Sequence, residues 1–145
     1  MRIYIAGRIS QRDELHDVRR AIWELGHEVL ATWIDETPNW NESLVHGGNV
    51  YGRSIAMRDL TQISMADVFI LDTTSPLAAD GGGGREFEAG FAFGQFQHKQ
   101  RWRVGPPKNA FHHLVDQSFE NWDQCLKFLE GLNGSRHHRT DGKAD

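Results

Sequence analysis

The chain has 145 residues, a formal net charge of −4 with histidine neutral, a pI near 6.0 and a mean hydropathy of −0.57. That length buries roughly 68–70% of the unfolded surface, enough for one domain without covalent staples, and the acidic balance offers no basic stripe for a nucleic acid polymer. The single Cys125 excludes an intrachain disulfide and a cysteine zinc site, and with no run of eighteen apolar residues and no signal-peptide pattern, the expectation is a cytoplasmic protein with a small-molecule partner and no membrane partner.

RIYIA at 2–6 reads as a short apolar strand ending at Gly7. From Gln11 to Leu25, Leu15, Val18, Ile22 and Leu25 recur as one helical stripe that Gly26 closes. HEVLATWI at 27–34 reads as a second strand, and residues 35–48 carry turn residues without a period, which predicts a long loop over a site. Tyr51 to Ala66 reads as a helix with Ile55, Leu60 and Ile63 inward. DVFIL at 67–71 is a nearly continuous apolar run of the kind a parallel strand covered on both faces requires, with Asp72 at its carboxyl end. A run of glycines at 81–84 precedes a helix from about Arg85 to Gln97. A short strand near Arg101 to Val104, a Gly-Pro-Pro turn and a last helix from about Trp122 to Leu132 follow, and from about Gly131 the chain reads as a disordered tail.

Strands alternating with helices predict a doubly wound α/β domain over residues 1–130, a parallel sheet with helices on both faces and a ligand site beyond the carboxyl ends of its strands. The stretch GGGGREFEAGFAFG at 81–94 is where chemistry concentrates. It lacks the Lys-Ser or Lys-Thr of a P-loop, and the first turn, AGRIS, lacks G-x-G-x-x-G spacing. Glu86 and Glu88, two apart on a helix, lie on nearly opposite faces, so only one can face a cleft. Acidic residues also favour a first helical turn through the dipole alone, so spacing leaves both readings open. His98, His112 and His113 have no carboxylate or cysteine at ligand spacing, so neither a metal nor a cofactor is expected. Trp102 and Trp122 are expected to pack; Trp33 and Trp40 lie at a strand end and in the long loop, where an aromatic face can stack a flat ligand, although packing is the first expectation for either taken alone.

IYIAG at 3–7, RDLTQISMADVFILD at 58–72, GGREFEAGFAFG at 83–94 and VGPPKNAFHHL at 104–114 together resemble the nucleoside 2-deoxyribosyltransferase family and its nucleotide N-glycosidase relatives. The resemblance implies that Glu88 is a nucleophile, that the Tyr4 hydroxyl positions it, and that Asp59 contacts and protonates the departing base. It further implies a homo-oligomer in which Asn109 of a neighbouring subunit holds the sugar 5′ end, and a role for Asp80 at the 5′-hydroxyl if the lengthened glycine loop folds back. Gly7, Arg8, Ser10, Asp72, Asp80, Gly84 and Asn109 form the expected substrate-binding set, with a nucleoside or nucleotide, and an acceptor base or water, as the partners. Two flanking carboxyl groups suit this chemistry, one for the positive charge on the sugar and one for protonating the base. Glu88 is then expected ionised at its helix start, with Asp59 raised by a pocket lined by Phe87, Phe91 or Trp33. Arg8, Ser10 and Lys108 are the candidate phosphate contacts. Asp72 and Asp80 at the mouth of the cleft oppose them, which predicts a preference for the free nucleoside.

Overall fold

A computed structural model describes residues 1–36, 48–76, 83–95 and 99–137. Ile3, Tyr4, Ile5 and Ala6 are fully buried in β1 (Arg2–Ala6), and β3 (Val68–Asp72) is buried along its whole length. These two strands pair in parallel with Tyr4 opposite Phe69, which explains why both read as unbroken apolar runs: helices cover them on either face. The other strands are β2 (Glu28–Val29), β4 (Gln100–Val104) and β5 (Gln117–Phe119). All pair in parallel, in the order β2-β1-β3-β4-β5. The chain reverses its direction of travel across the sheet between β1 and β3, and in open sheets of this kind the crevice beyond that switch point receives the ligand.

Among the described residues there are four α-helices: α1 (Arg12–Glu24), α2 (Gly48–Met65), α3 (Gly84–Phe93) and α4 (Trp122–His137). α1 packs with α4, and α2 with α3. In α1 the buried residues are Leu15, Val18 and Ile22, the predicted stripe, and the helix closes with Gly26 N–H donating to Trp23 O and His27 N–H to Ile22 O. Lys99, 7% exposed at the foot of β4, sends its ammonium group to Ile63 O at 2.7 Å, which also accepts from Ala66 N–H, and to Ala66 O at 3.1 Å just past the end of α2. Under the far half of the sheet, Trp102 is fully buried and meets Phe119 and Phe128 edge-on at 5.8 and 5.4 Å. No helix among the described residues is long and apolar enough to cross a membrane.

Three elements differ from expectation. The strand predicted over 27–34 pairs only at Glu28 and Val29, and Thr32–Asp35 is a 3-10 turn. The turn swings Trp33 beneath the chain, where its indole N–H donates to Ile5 O at 2.8 Å and Ile34 becomes fully buried, so these apolar residues find cover without extended pairing. β5 carries no readable alternation because Gln117 and Ser118 are exposed and only Phe119 is buried. The last helix continues past Leu132 to His137, held in part by Asn133 Nδ2 donating to Leu25 O at the end of α1. Trp40, Asp80, His98 and residues 138–145 lie outside the described residues, as does most of the predicted loop over 35–48.

Candidate active site

Beyond the carboxyl ends of β1 and β3 lies a cavity of about 440 Å³, lined by Gly7 and Ile9 after β1, Trp33 and Glu36 from the 3-10 turn and its end, Gly52, Ile55, Ala56, Asp59 and Leu60 of α2, and Gly84, Arg85, Phe87 and Glu88 of α3. Ile55 and Leu60, predicted to point inward, form the apolar side of this cavity. The first residue of α3 follows Gly83, whose φ of +60° lies in the left-handed region that glycine enters without strain. That turn sets the angle at which α3 leaves the glycine run and so aims Glu88.

Glu88 meets Tyr4 across 84 residues of sequence: the Tyr4 hydroxyl donates to Glu88 Oε1 at 2.8 Å. The Tyr4 ring stacks on Phe69 with centroids 6.0 Å apart and is fully buried, so the hydroxyl has little freedom to move away. Burial, then the charges of Glu88 and Asp59, keep that phenol protonated well above its usual range. Burial also pushes the Glu88 carboxyl up to about 7, opposed by the Tyr4 hydrogen bond and assisted by the charge of Asp59. The helix start is expected to favour the ionised form, but burial prevails and raises the carboxyl instead. Glu88 is the fifth residue of α3, past the first turn where the dipole acts, and desolvation outweighs what remains.

Asp59 reaches the cavity from α2 with its side chain 13% exposed. Arg58 Nε and Nη2 both donate to Asp59 Oδ1, at 2.9 and 2.7 Å, and Arg58 Nη2 also lies 2.5 Å from Glu36. Burial nonetheless raises the Asp59 carboxyl above its ordinary value against the pull of Arg58, with Glu36 acting in the same direction as burial. Trp33 and Phe87 line the cavity as expected, whereas Phe91 packs against the core.

Glu86 points elsewhere, as the helical period requires. His112 Nε2 lies 2.9 Å from its Oε2, Arg85 Nη2 donates to its Oε1 at 3.0 Å, and Asn109 Nδ2 donates to its Oε2 at 3.4 Å. Burial opposes its ionisation, yet His112 and Arg85 together hold its carboxyl below the ordinary value. Asn109 also caps the 3-10 turn at Ala110–His113, so in this single chain it sits outside the cavity lining.

Of the expected substrate-binding set, Gly7 and Gly84 line the cavity. Arg8 and Ser10 follow β1 outside the lining, Ser10 being exposed. Asp72 does not stand at the mouth of the cleft. It is fully buried; its Oδ1 accepts from Thr74 N–H at 2.8 Å and the Thr74 hydroxyl at 2.7 Å, and its Oδ2 from the Trp122 indole at 3.0 Å. An aspartate ending a central strand meets the donors of Thr74 and Trp122 sooner than it meets solvent, and its carboxyl group faces the protein interior. Glu36, Arg58 and Arg85 were not singled out by sequence reasoning. The signals available were an arginine adjoining the candidate acid in Arg58-Asp59 and another adjoining Gly84.

No protein-family model matches the chain, and no curated protein matches it. Among solved structures, it is similar to a 2-deoxyribosyltransferase from Bacillus psychrosaccharolyticus, with 19% identity, a TM-score of 0.68 and coverage of 87% of this chain and 90% of that one. It is also similar to a CMP N-glycosidase from Clostridium botulinum, with 16% identity, a TM-score of 0.55 and coverage of 90% of this chain and 99% of that one. The chain thus has the three-layer α/β fold of these two proteins.

Proposed function

We propose that this protein is an enzyme of the nucleoside 2-deoxyribosyltransferase type that breaks the N-glycosidic bond of a 2′-deoxynucleoside or its 5′-monophosphate, passing the sugar to water or to a second base. The observation that carries this reading is the Tyr4–Glu88 hydrogen bond, inside a cavity whose wall also bears Asp59. The names of the two similar structures, one a deoxyribosyl transferase and the other a nucleotide N-glycosidase, support it. As the C1′–N bond breaks, its electron pair passes to the base nitrogen and a proton from the Asp59 carboxyl joins that nitrogen. The ionised Glu88 carboxylate forms a C1′–O bond with the sugar, which water or an acceptor base later breaks. Tyr4 fixes the Glu88 rotamer and, by donating to the carboxylate, favours the ionised form the attack needs. Trp33 and Phe87 supply apolar surface for a base.

A 5′-monophosphate substrate is favoured by one group of cations. Arg85 lines the cavity, and Lys108 is depressed first by desolvation and then by the like charges of Arg85 and Arg8, with Asp72 and Glu86 acting the other way, so three cations and two carboxylates share this side of the sheet. Asp72, on whose charge a preference for the free nucleoside partly rested, is turned inward. A homo-oligomer in which Asn109 serves a neighbouring copy is part of the proposal, supported by the exposure of Phe111 and Leu114 just beyond it. The test is release of free base from a panel of deoxynucleosides and their 5′-monophosphates, with and without an acceptor base. Absence of release from every member refutes the reading. A tenfold preference in kcat/KM, about 1.4 kcal/mol of transition-state binding, separates nucleotide from nucleoside as substrate.

A further inference from the structure

Glu36 is a third carboxylate in the cavity lining, beside Asp59 and Glu88, and its side chain is 16% exposed. It is held from two directions. Arg12 Nη1, from α1, donates to its backbone carbonyl, and Arg58 Nη2, from α2, lies 2.5 Å from its carboxylate. The same Nη2 donates to Asp59 at 2.7 Å, so a single guanidinium is divided between two carboxylates that belong to different elements of the fold. We propose that Glu36 is a positioning residue for the reaction: by sharing Arg58 with Asp59, it keeps Asp59 able to hold the proton that the leaving base requires. This inference rests on the N-glycosidic reading given above.

An aspartate paired with an arginine of its own holds a proton poorly, because the guanidinium stabilises the charged form and taking up a proton must first weaken that pairing. A second carboxylate on the same guanidinium offsets part of the positive charge and, in a cavity of reduced dielectric, makes a full set of ionised carboxylates costly. The groups that face Asp59 are Arg58 on its own helix, Glu36 from the end of the 3-10 turn, Tyr4 from β1, and Glu88 and Arg85 from α3. Two of these, Glu36 and Glu88, are carboxyl groups, and Glu36 is the one that competes directly for the Arg58 proton donors. Its charge raises both Asp59 and Glu88, so its removal strengthens the hold of Arg58 on Asp59 and lowers the proton affinity of both.

The experiment compares the full chain with Glu36→Gln and Glu36→Asp, following the Asp59 carboxyl by carbon-detected NMR titration and the pH profile of kcat/KM for a poorly leaving and an activated base. Glu36→Gln is expected to lower the Asp59 midpoint by about half a pH unit or more, roughly threefold in proton affinity. It should also slow the poorly leaving base several-fold more than the activated one, and Glu36→Asp should restore most of both. A midpoint that stays or rises, or equal slowing of both bases, overturns the proposal, since a merely structural role for Glu36 moves neither. If the wild-type protein releases no base from any substrate, the N-glycosidic reading fails, and the titration alone then decides whether Glu36 and Asp59 share Arg58.

Discussion

Glu88→Gln should leave the protein without turnover and, above neutral pH, more stable than the wild type. The Glu88 carboxyl stands at about 7 in the fold against an ordinary 4.5, chiefly because it is buried. A carboxyl whose folded value is raised lends stability that is complete below its unfolded value and is lost as pH climbs through the folded one, so the window runs from 4.5 to about 7. At about 1.4 kcal/mol per pH unit, ionised Glu88 carries roughly 3 kcal/mol of strain at pH 8, an upper figure that the open side of the cavity reduces. Glutamine has nearly the same shape, keeps an oxygen to accept from the Tyr4 hydroxyl and never ionises. The expected gain at pH 8 is therefore about 1–3 kcal/mol, a rise in Tm of roughly 3–10 °C for a chain of this size, shrinking to near zero at pH 4.5. Thermal melts of both proteins from pH 4.5 to 8.5 measure it, and using their difference cancels the titrating groups that do not couple to Glu88. A Tm difference that is flat with pH, or that favours the wild type at pH 8, would refute the account of Glu88 as a carboxylate held against its solvation.

Asp59→Asn should slow poorly leaving bases at least tenfold more than activated ones, because an amide has no proton to give to the base; equal slowing in steady-state assays would make Asp59 a binding group only. Tyr4→Phe removes the hydrogen bond that lowers the Glu88 carboxyl, so the acidic limb of the kcat/KM profile should move to higher pH, with kcat at neutral pH falling about tenfold or more; an unmoved limb would mean the hydroxyl does not act through Glu88. Glu86→Gln should retain turnover within a few-fold while costing about 1 kcal/mol of stability through its bonds to His112 and Arg85, and a loss matching that of Glu88→Gln would reverse the assignment of the two glutamates. Gly105→Ala should cost about 2–4 kcal/mol in denaturant unfolding, because φ is +103° and a Cβ there would come within 2.7 Å of Thr74 N; a cost below about 1 kcal/mol would refute the close approach of the two chain segments.

Local periodicity carried the parts of this molecule that depend on local geometry. The division of labour between Glu86 and Glu88 follows from two residues on one helix facing opposite ways, and the central strands follow from apolar runs that only a covered parallel sheet requires. What stayed illegible depends on partners distant in sequence. Asp72 reads as a cleft carboxylate until Trp122, 50 residues on, occupies one of its oxygens. Sequence reasoning does not single out Arg58, because one of its two carboxylate partners, Glu36, comes from another element. β2 and β5 are too short and too near the sheet edges to show a period, and the value of about 7 for Glu88 depends on burial that no spacing encodes.

The ammonium group of Lys99 is enclosed by carbonyls contributed from 33 and 36 residues earlier in the chain. An amine so enclosed is shielded from acylating reagents while the end of α2 is intact, so its labelling rate in native protein should report how often that end opens. Because the same helix carries Asp59, protection of this one lysine becomes a chemical clock for the integrity of the helix behind the cavity, readable by mass spectrometry without any substrate.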